Sequence, residues 1–456
     1  MDQHDHSSDP IGDLEDLLSP FRAAITPRAQ FRVGTEAEKF GLLSDSLEPL
    51  PYEGPRSVLA VLAALVADHG WSEYREYDAG ALISLKREAT SVTLEPAGQL
   101  ELSGSPFATV HEACAEFSAH LEELRRVSEP LGVVWLSLGF HPFARDADLP
   151  RVPKLRYGIM ERYMPTRGPR SADMMRRTCT VQANLDYESE DEAMRKLRVA
   201  LALQPVATAA FANSPLYEGR VGQYLSERAA VWLQMDVDRS GILPFAWQKD
   251  QSLRSYVEWA LDVPMFLVKR GARIIENTGQ SFRSFLRDGA SGARATFEDW
   301  ETHLNSLFPE ARLKKTLEVR GADAQPSDLV CAVPALWKGL LYDPTALAQA
   351  ESLIRDLDAT TVEQSRPEIA RRALQARLLE HPLLWWAEQM VDIARGGLER
   401  LGHRNAAGRD ESIHLAPLER RLERGITPAE ELLAAIKADG GGSSALPAAI
   451  VAHARV

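Results

Sequence analysis

Polar and apolar positions alternate in four separate stretches of the chain, and a period of two predicts strands with one polar face. The stretches are residues 32–40, 94–102, 178–185 and 317–320. The side chains that share the polar face are Glu36 and Glu38, then Gln99 and Glu101, then Thr180, Gln182 and Asn184, and finally Glu318 and Arg320. A single Glu-x-Glu is usually a solvated strand edge, but the recurrence here predicts one continuous polar face.

The polar faces of these stretches are rich in carboxylates. Pro96 and Gly98 predict a bend that re-aims Glu95 toward the same face. Hard divalent cations prefer such oxygen ligands and are held by carboxylates together with substrate phosphates. We therefore expect a site for Mg²⁺ (or Mn²⁺) made by Glu36, Glu38, Glu95, Glu101 and Glu318, with Gln182 as a neutral ligand.

Long segments with a helical apolar period flank these strands, at 57–68, 109–129 and 190–212. Beyond residue 329 the chain is mostly helical, at 346–357, 367–379, 382–401 and 428–438. Strands and helices do not alternate regularly, which favours an α+β fold with a largely antiparallel sheet. The pattern predicts flexible tails at 1–12 and 439–456 around one catalytic domain at 13–438, whose helical C-terminal part begins at about 330.

Composition narrows the classes of function. The 456 residues carry a net charge of −13, which disfavours a nucleic-acid surface but leaves room for a locally basic pocket that attracts phosphate. We expect small-molecule partners and a monomer or homodimer. No run of about 18 apolar residues and no signal-type N-terminus is present, so we expect no membrane partner and a cytoplasmic location. Phosphate-binding, dinucleotide-binding and serine-hydrolase motifs are absent from the sequence.

Several short motifs then appear in a fixed order. They are GTE-x-EKFG from residue 34, LEP-x-GQ-x-ELSG from 94, RYGIM from 156, TCTVQ-x-NLD from 178, ALQP-x-ATA-x-FANSP from 202, ALDVPM from 260 and E-x-RGAD from 318. Together they resemble the plant-type glutamate–cysteine ligases, which are also found in many bacteria. The resemblance is close over about 31–342 and looser beyond it.

That resemblance implies both a fold and a reaction. The implied fold is a curved, largely antiparallel sheet like that of glutamine synthetase, wrapped by helices. The implied reaction is ATP- and Mg²⁺-dependent ligation of the γ-carboxylate of L-glutamate to the amine of L-cysteine through γ-glutamyl phosphate. Its product would be γ-glutamylcysteine, the precursor of glutathione.

Substrate and catalytic roles are expected for six further residues. Arg156 and Arg228 match family positions that bind the carboxylates of the amino-acid substrates, and a planar guanidinium suits that task. Phe266, where the family usually has Tyr, is expected to line the acceptor pocket, and Thr180 to bind substrate. Arg320 and Lys39 are the expected catalytic cations, because charge develops on a transferring phosphoryl group.

Two alternatives to this reaction stay open. The loss of a tyrosine hydroxyl at Phe266 and the unusual Ala37, where the family usually has His, leave room for a γ-glutamyl ligase that uses another amine. A non-catalytic binding protein with the same fold would require lost acidic positions, and all five are present.

The three cysteines have no metal-ligand spacing. Plant members of the family carry two redox-sensitive disulfides, and the first cysteine of one pair falls at Asn277, so that bridge is absent. The other pair matches Cys114 and Cys331. In a reducing cytosol we nevertheless expect three buried free thiols.

Overall fold

The computed structural model describes residues 8–75, 80–271, 273–438 and 446–456. Its helices are α1 Leu14–Ala23, α2 Val58–His69, α3 Val110–Ser128, α4 Leu155–Tyr163, α5 Ser171–Arg177, α6 Glu190–Ala210, α7 Glu227–Trp232, α8 Leu253–Asp262, α9 Phe282–Asp288, α10 Phe297–Leu304, α11 Ala332–Leu341, α12 Pro344–Leu353, α13 Ala359–Arg372, α14 Leu383–Leu401, α15 Ala416–Glu423, α16 Pro428–Ala438 and α17 Leu446–Ala454.

The strands fall into one large sheet and several two-stranded ladders. They are β1 Val33–Leu43, β2 Ser72–Arg75, β3 Leu82–Arg87, β4 Thr90–Leu94, β5 Leu100–Ser103, β6 Val133–Leu136, β7 Thr180–Leu185, β8 Leu216–Tyr217, β9 Arg220–Val221, β10 Ser240–Gly241, β11 Leu267–Arg270, β12 Arg273–Glu276, β13 Phe308–Pro309, β14 Ala311–Leu313, β15 Leu317–Asp323, β16 Arg377–Leu378 and β17 His381–Pro382.

The large sheet is built around β1. In the described part of the chain its order is β14-β15-β7-β1-β5-β4-β3-β2, and β6 pairs with the second half of β1. Every pairing in this sheet is antiparallel. The predicted α+β fold with a largely antiparallel sheet is therefore confirmed.

Local sequence explains where the helices around the sheet begin. Thr109 caps α3, and Glu112 completes a capping box by accepting from the Thr109 amide. Ser57 and Ser189 cap α2 and α6 in the same way, each accepting from an amide three residues later. A side-chain oxygen at this position satisfies an amide that the helix itself leaves unpaired. These helices coincide with the predicted ones to within two residues.

The C-terminal end differs from the prediction. Residues 439–445 of the predicted flexible tail, like 1–7 of the N-terminal one, lie outside the described residues. Helix α17, however, packs Leu446, Ala449 and Ile450 into a cluster with Leu42 and Leu136 of the sheet. Residues 446–456 are thus part of the folded body, because apolar residues spaced three and four apart form a stripe that must be covered. At the other end, Ile11 is also buried.

The cysteine prediction is corrected as well. Cys114 at α3 and Cys331 at the start of α11 form a disulfide, with Cα atoms 5.9 Å apart. Cys179 is the buried free thiol. Two of the three expected free thiols are therefore joined, and the pair is the one that the family resemblance implied.

Helices α11 and α14 cross with their backbones in contact. A Cβ atom at Gly339 would overlap the Ala394 carbonyl oxygen, and one at Gly397 would overlap the Gly339 carbonyl oxygen. Gly396 differs, because its nearest neighbour would be the flexible Arg400 guanidinium, 3.1 Å away. Two glycines thus set the distance between these helices.

We predict that Gly397→Ala destabilises the protein by about 1–3 kcal/mol, because a rigid backbone leaves no room for the methyl group. Gly396→Ala is the matched control and should be neutral or stabilising, since alanine favours a helix by about 1 kcal/mol over glycine. Thermal unfolding of both variants measures the difference. Equal unfolding temperatures would contradict the close crossing.

Candidate active site

The register of the central sheet gathers the predicted polar side chains on one face. Glu38 of β1 lies directly opposite Glu101 of β5, and Glu36 lies opposite Gln182 of β7. Directly opposite residues of an antiparallel pair point to the same face. The four predicted stretches are therefore neighbours in the sheet, although they are far apart in sequence.

A cavity of about 430 Å³ opens on this face. Its volume lies within the range of about 300–1,000 Å³ that is usual for small-molecule sites. Of the residues predicted from sequence, those that line it are Glu36, Glu38, Glu95, Glu101, Arg156, Thr180, Gln182, Arg228, Phe266 and Arg320. Lys39 and Glu318 do not.

Three carboxyl groups on β1 and β5 have raised pKa values. Burial raises the pKa of Glu38 well above its usual range, and repulsion from Glu95 and Glu101 adds to the effect. Burial followed by repulsion from Glu36 and Glu95 raises the pKa of Glu101. The pKa of Glu36 is raised by burial and by Glu318. A bound cation would favour the charged form of each of these carboxyl groups and lower its pKa.

Glu318 is in the opposite situation. It is fully buried, and its carboxylate forms ion pairs with Arg312 at 2.8 Å, with Lys314 at 3.0 Å and with Arg320. Burial alone would raise its pKa, but these three cations outweigh burial and hold the pKa well below its usual range. Among the predicted metal ligands Glu318 is therefore the one whose charge is already neutralised by the chain.

Arg312 and Lys314 line the cavity but were missed in the sequence. Arg312 lies opposite Glu318 in the β14–β15 hairpin. Lys314 and Arg312 precede Glu318 by four and six residues across a short turn. This spacing is typical of a hairpin, and it is the sequence pattern that could have identified them.

A β-bulge aims Arg320 into the cavity. The register of β15 against β7 shifts between Val319 and Ala322, so the two residues between them bulge out of the ladder. Arg320 donates through Nη1 to Gln182 Oε1 at 2.9 Å and pairs with Glu318. Bulges commonly re-aim a side chain beside a site. The predicted common face of Glu318 and Arg320 is thus observed as a direct contact.

Arg228 and Arg156 approach the cavity differently. Arg228 is buried, donates through Nη2 to the Arg320 carbonyl oxygen at 2.7 Å, and has a buried Nε without a hydrogen-bond partner among the described residues. Arg156 is exposed at the rim, with its guanidinium carbon 5.2 Å from the Tyr157 ring centroid. The two guanidinium groups therefore offer charge at different depths of the cavity.

Thr180 supports a carboxylate in this structure. Its backbone amide donates to Glu38 Oε2 at 3.0 Å, and its hydroxyl donates to the Ala322 carbonyl oxygen at 2.7 Å. The hydroxyl is thus committed to the backbone, and the amide fixes Glu38.

Phe266 forms part of an apolar wall. Its ring lies 4.0 Å from the guanidinium carbon of Arg239 and packs edge-on against Tyr163, with 5.8 Å between ring centroids. Met160, Met174 and Leu267 complete this wall. The sequence prediction of an apolar lining at Phe266 agrees with this position.

The prediction for Lys39 does not agree with the structure. Lys39 follows Glu38 by one residue in β1, so its side chain points to the other face of the sheet. Its Nζ donates to the Ala37 carbonyl oxygen at 3.3 Å and lies 5.9 Å from the Phe117 ring centroid of α3. Burial lowers the pKa of this amine to about 8. Lys39 is therefore separated from the cavity and not placed for a direct catalytic contact.

Known proteins resemble this chain over most of its length. The glutamate–cysteine ligase B, chloroplastic, of Oryza sativa subsp. japonica is 41% identical over 422 residues, which is 92% of this chain and 83% of that protein. The glutamate–cysteine ligase, chloroplastic, of Brassica juncea is 40% identical over 432 residues, which is 94% of this chain and 82% of that protein. The names of these relatives place them in chloroplasts, and this finding contradicts the cytoplasmic location expected from the sequence.

None of the helices in the described ranges is both long and apolar enough to cross a bilayer.

A solved structure shares the fold. The crystal structure of a glutamate–cysteine ligase from Francisella tularensis in complex with AMP superposes with a TM-score of 0.54, at 14% identity, over 93% of this chain and 89% of that one. The model of "Glutamate-cysteine ligase family 2 (GCS2)" matches residues 32–448. With a family match over most of its length and relatives about 40% identical, the chain belongs to glutamate–cysteine ligase family 2.

Proposed function

We propose that the protein is an ATP-dependent glutamate–cysteine ligase, which joins the γ-carboxylate of L-glutamate to the amine of L-cysteine. The products are γ-glutamylcysteine, ADP and phosphate, and the reaction is the first step of glutathione biosynthesis. The observation that supports this most directly is a single cavity in which a carboxylate face meets a set of buried cations, within a chain of this family.

The chemistry explains why both kinds of charge are present. A free carboxylate does not form an amide spontaneously in water, so ATP first transfers its γ-phosphoryl group to the γ-carboxylate. The amine then attacks the acyl carbon of γ-glutamyl phosphate, and phosphate leaves. Both steps require positioning and compensation of charge more than covalent work by the protein.

We assign the compensation of phosphoryl charge to Arg320. Its guanidinium lines the cavity, and its contacts with Glu318 and Gln182 fix the position of the guanidinium there. Arg312 and Lys314 are held beside it by the same Glu318 carboxylate. A fixed array of cations stabilises developing negative charge without reorganising during the reaction.

The residues present fit divalent cations. Glu36, Glu38, Glu95 and Glu101 offer carboxylate oxygen atoms to the cavity, whereas the Gln182 oxygen predicted as a neutral ligand already accepts from Arg320. Burial first, and then repulsion from neighbouring carboxylates, raises the pKa values of Glu36, Glu38 and Glu101, and this supports a cation there. When bound, Mg²⁺, or Mn²⁺ in its place, would neutralise negative charge on the phosphates of ATP. We propose the four cavity-lining carboxylates as its ligands. Glu318 instead positions the basic side chains of Arg312, Lys314 and Arg320.

The amino-acid substrates are assigned to the remaining part of the cavity. Arg228 and Arg156 carry planar guanidinium groups, which bind carboxylates through two parallel hydrogen bonds. The wall of Phe266, Met160 and Met174 suits the small apolar side chain of an acceptor such as cysteine. The absence of a hydroxyl at Phe266 favours a second candidate, a γ-glutamyl ligase for another small amine, because an apolar wall separates small side chains by only about 1–3 kcal/mol.

The proposed reaction predicts ADP release that requires glutamate, an amine and a divalent cation together. Among small amines, cysteine should give the highest kcat/KM. Coupled measurement of ADP with cysteine, 2-aminobutyrate, alanine, serine and glycine tests this order, with a reaction lacking glutamate as control. A higher kcat/KM for another amine would support the second candidate, and no amine-dependent ADP with any of them would contradict both.

Glu36→Gln should lower turnover by about 100-fold or more, because it removes one charge from the cation site and keeps the shape. Without Mg²⁺ its unfolding temperature should be unchanged or higher, since burial and Glu318 disfavour the charged form of Glu36. The hydrogen bond from Asn184, 2.8 Å in the wild type, can still reach the remaining oxygen.

The matched control for this variant is Glu48→Gln, which alters an exposed carboxylate just beyond β1. It should leave both turnover and unfolding temperature unchanged. Retention by Glu36→Gln of more than about a tenth of the wild-type rate at saturating Mg²⁺ would remove Glu36 from the proposed ligand set.

A further inference from the structure

A second group of metal-ligating side chains lies away from the cavity. Cys114 of α3, Cys331 at the start of α11 and His414 of the 411–415 turn meet at one point, with their ligand atoms within 4.8 Å of one another. All three are partly accessible. None of them lines the carboxylate cavity.

The imidazole of His414 is already oriented for ligation. Its Nε2 lies 2.9 Å from His111 Nδ1, and its Nδ1 lies 3.7 Å from Cys114 Sγ. In the tautomer that donates from Nε2 to His111, the lone pair of Nδ1 faces the Cys114 sulfur atom. Metal-binding histidines almost always donate their second ring nitrogen in this way, which fixes both tautomer and ring orientation.

The frame around the group is rigid. Lys338 of α11 and Glu411 of the 411–415 turn form a buried ion pair with an N–O distance of 2.7 Å, and Glu411 also accepts from the Val110 amide at the start of α3. These contacts join the same three elements that carry the cysteines and His414. Opening the disulfide would therefore leave its two sulfur atoms close to the imidazole.

We propose that, when the disulfide is reduced, Cys114, Cys331 and His414 bind one thiophilic divalent metal ion, with Zn²⁺ as the reference ion. Zinc–sulfur and zinc–nitrogen bonds of about 2.3 and about 2.0 Å at a tetrahedral angle place sulfur and nitrogen about 3.5 Å apart. The observed distance between Cys114 Sγ and His414 Nδ1 is 3.7 Å, so a small movement of either side chain completes the geometry. Water or an external ligand takes the fourth position.

Reduction of the disulfide precedes metal binding. A thiol or phosphine reductant supplies two electrons to the disulfide, and two protons complete the thiols. With a phosphine, water supplies the oxygen of the phosphine oxide. Metal binding then displaces both thiol protons, because thiolates are the ligands. The disulfide and the metal site are therefore mutually exclusive states of the same two cysteines.

This inference does not rest on the proposed ligase activity. The test compares the full chain before and after reduction with a phosphine, which is removed anaerobically before Zn²⁺ is titrated against a chromophoric chelator. Excess Mg²⁺ is present throughout to occupy the carboxylate face. The reduced protein should bind one more Zn²⁺ than the oxidised protein, with release of protons. Co²⁺ in place of Zn²⁺ should show the near-ultraviolet charge-transfer band that thiolate ligation produces.

Variants assign the ligands. Cys331→Ser should abolish the additional site, and His111→Ala should weaken it by about 10–100-fold through the orientation of His414. Cys179→Ala is the matched control, because that cysteine is buried elsewhere and should leave metal binding unchanged. Equal Zn²⁺ binding by oxidised and reduced wild type, or Co²⁺ binding without the charge-transfer band, would show that the two cysteines form a disulfide only.

Discussion

Mutual repulsion among buried carboxylates is the constraint on which the rest of the structure depends. The pairing of β1 with β5 places Glu38 directly opposite Glu101, an arrangement that destabilises a sheet when both groups are charged. The raised pKa values of Glu38 and Glu101 favour the neutral form of each group and so limit the repulsion, while the cations on the opposite half of the face are paired with Glu318. One side of the cavity is therefore rich in positive charge, and the other is prepared to receive it.

The two faces of the sheet divide the work. Beyond the carboxylate face, β1 presents Ala37 and Lys39 toward helix α3, and Lys39 stays buried against Phe117. Helices α11 and α14 meet through glycines and bring the start of α11 to the Cys114–Cys331 bond. Helices α3 and α11 both pack against β1, and α11 also packs against β7. Cys114 of α3 and Cys331 at the start of α11 lie on this side of the sheet with His414, and none of the three lines the cavity.

Much of the site could be predicted from sequence because the alternation of a strand is a strict rule. Period two places Glu36 and Glu38 on one face, whereas the bulge that aims Arg320 into the cavity lies outside this rule. The same rule places Lys39 on the opposite face from Glu38. The prediction of Lys39 as a catalytic cation was therefore wrong, because it considered the charge of the side chain and not its direction. Arg312 is different, because its role depends on the hairpin register opposite Glu318.

Other features needed long-range information or were masked by composition. The Cys114–Cys331 bond joins residues 217 positions apart, and no local pattern fixes such a pairing. Helix α17 was missed because the glycine- and serine-rich run before it outweighed the spacing of Leu446 and Ile450. The similarity to chloroplast proteins likewise became apparent only from comparison with known proteins.

We propose that divalent cations replace protons on the carboxylate face, and the number of protons released on Mg²⁺ binding tests this most directly. Calorimetric titration of Mg²⁺ in buffers of different ionisation enthalpy, with a non-hydrolysable ATP analogue bound, gives the number of protons released. The protons released when Mg²⁺ binds the free analogue are measured separately and subtracted. Because the pKa values of Glu38 and Glu101 are raised, protons should be released near neutral pH, fewer as pH rises, and fewer in Glu38→Gln. Mg²⁺ binding with no proton release at any pH, or with the same release in Glu38→Gln, would contradict the account.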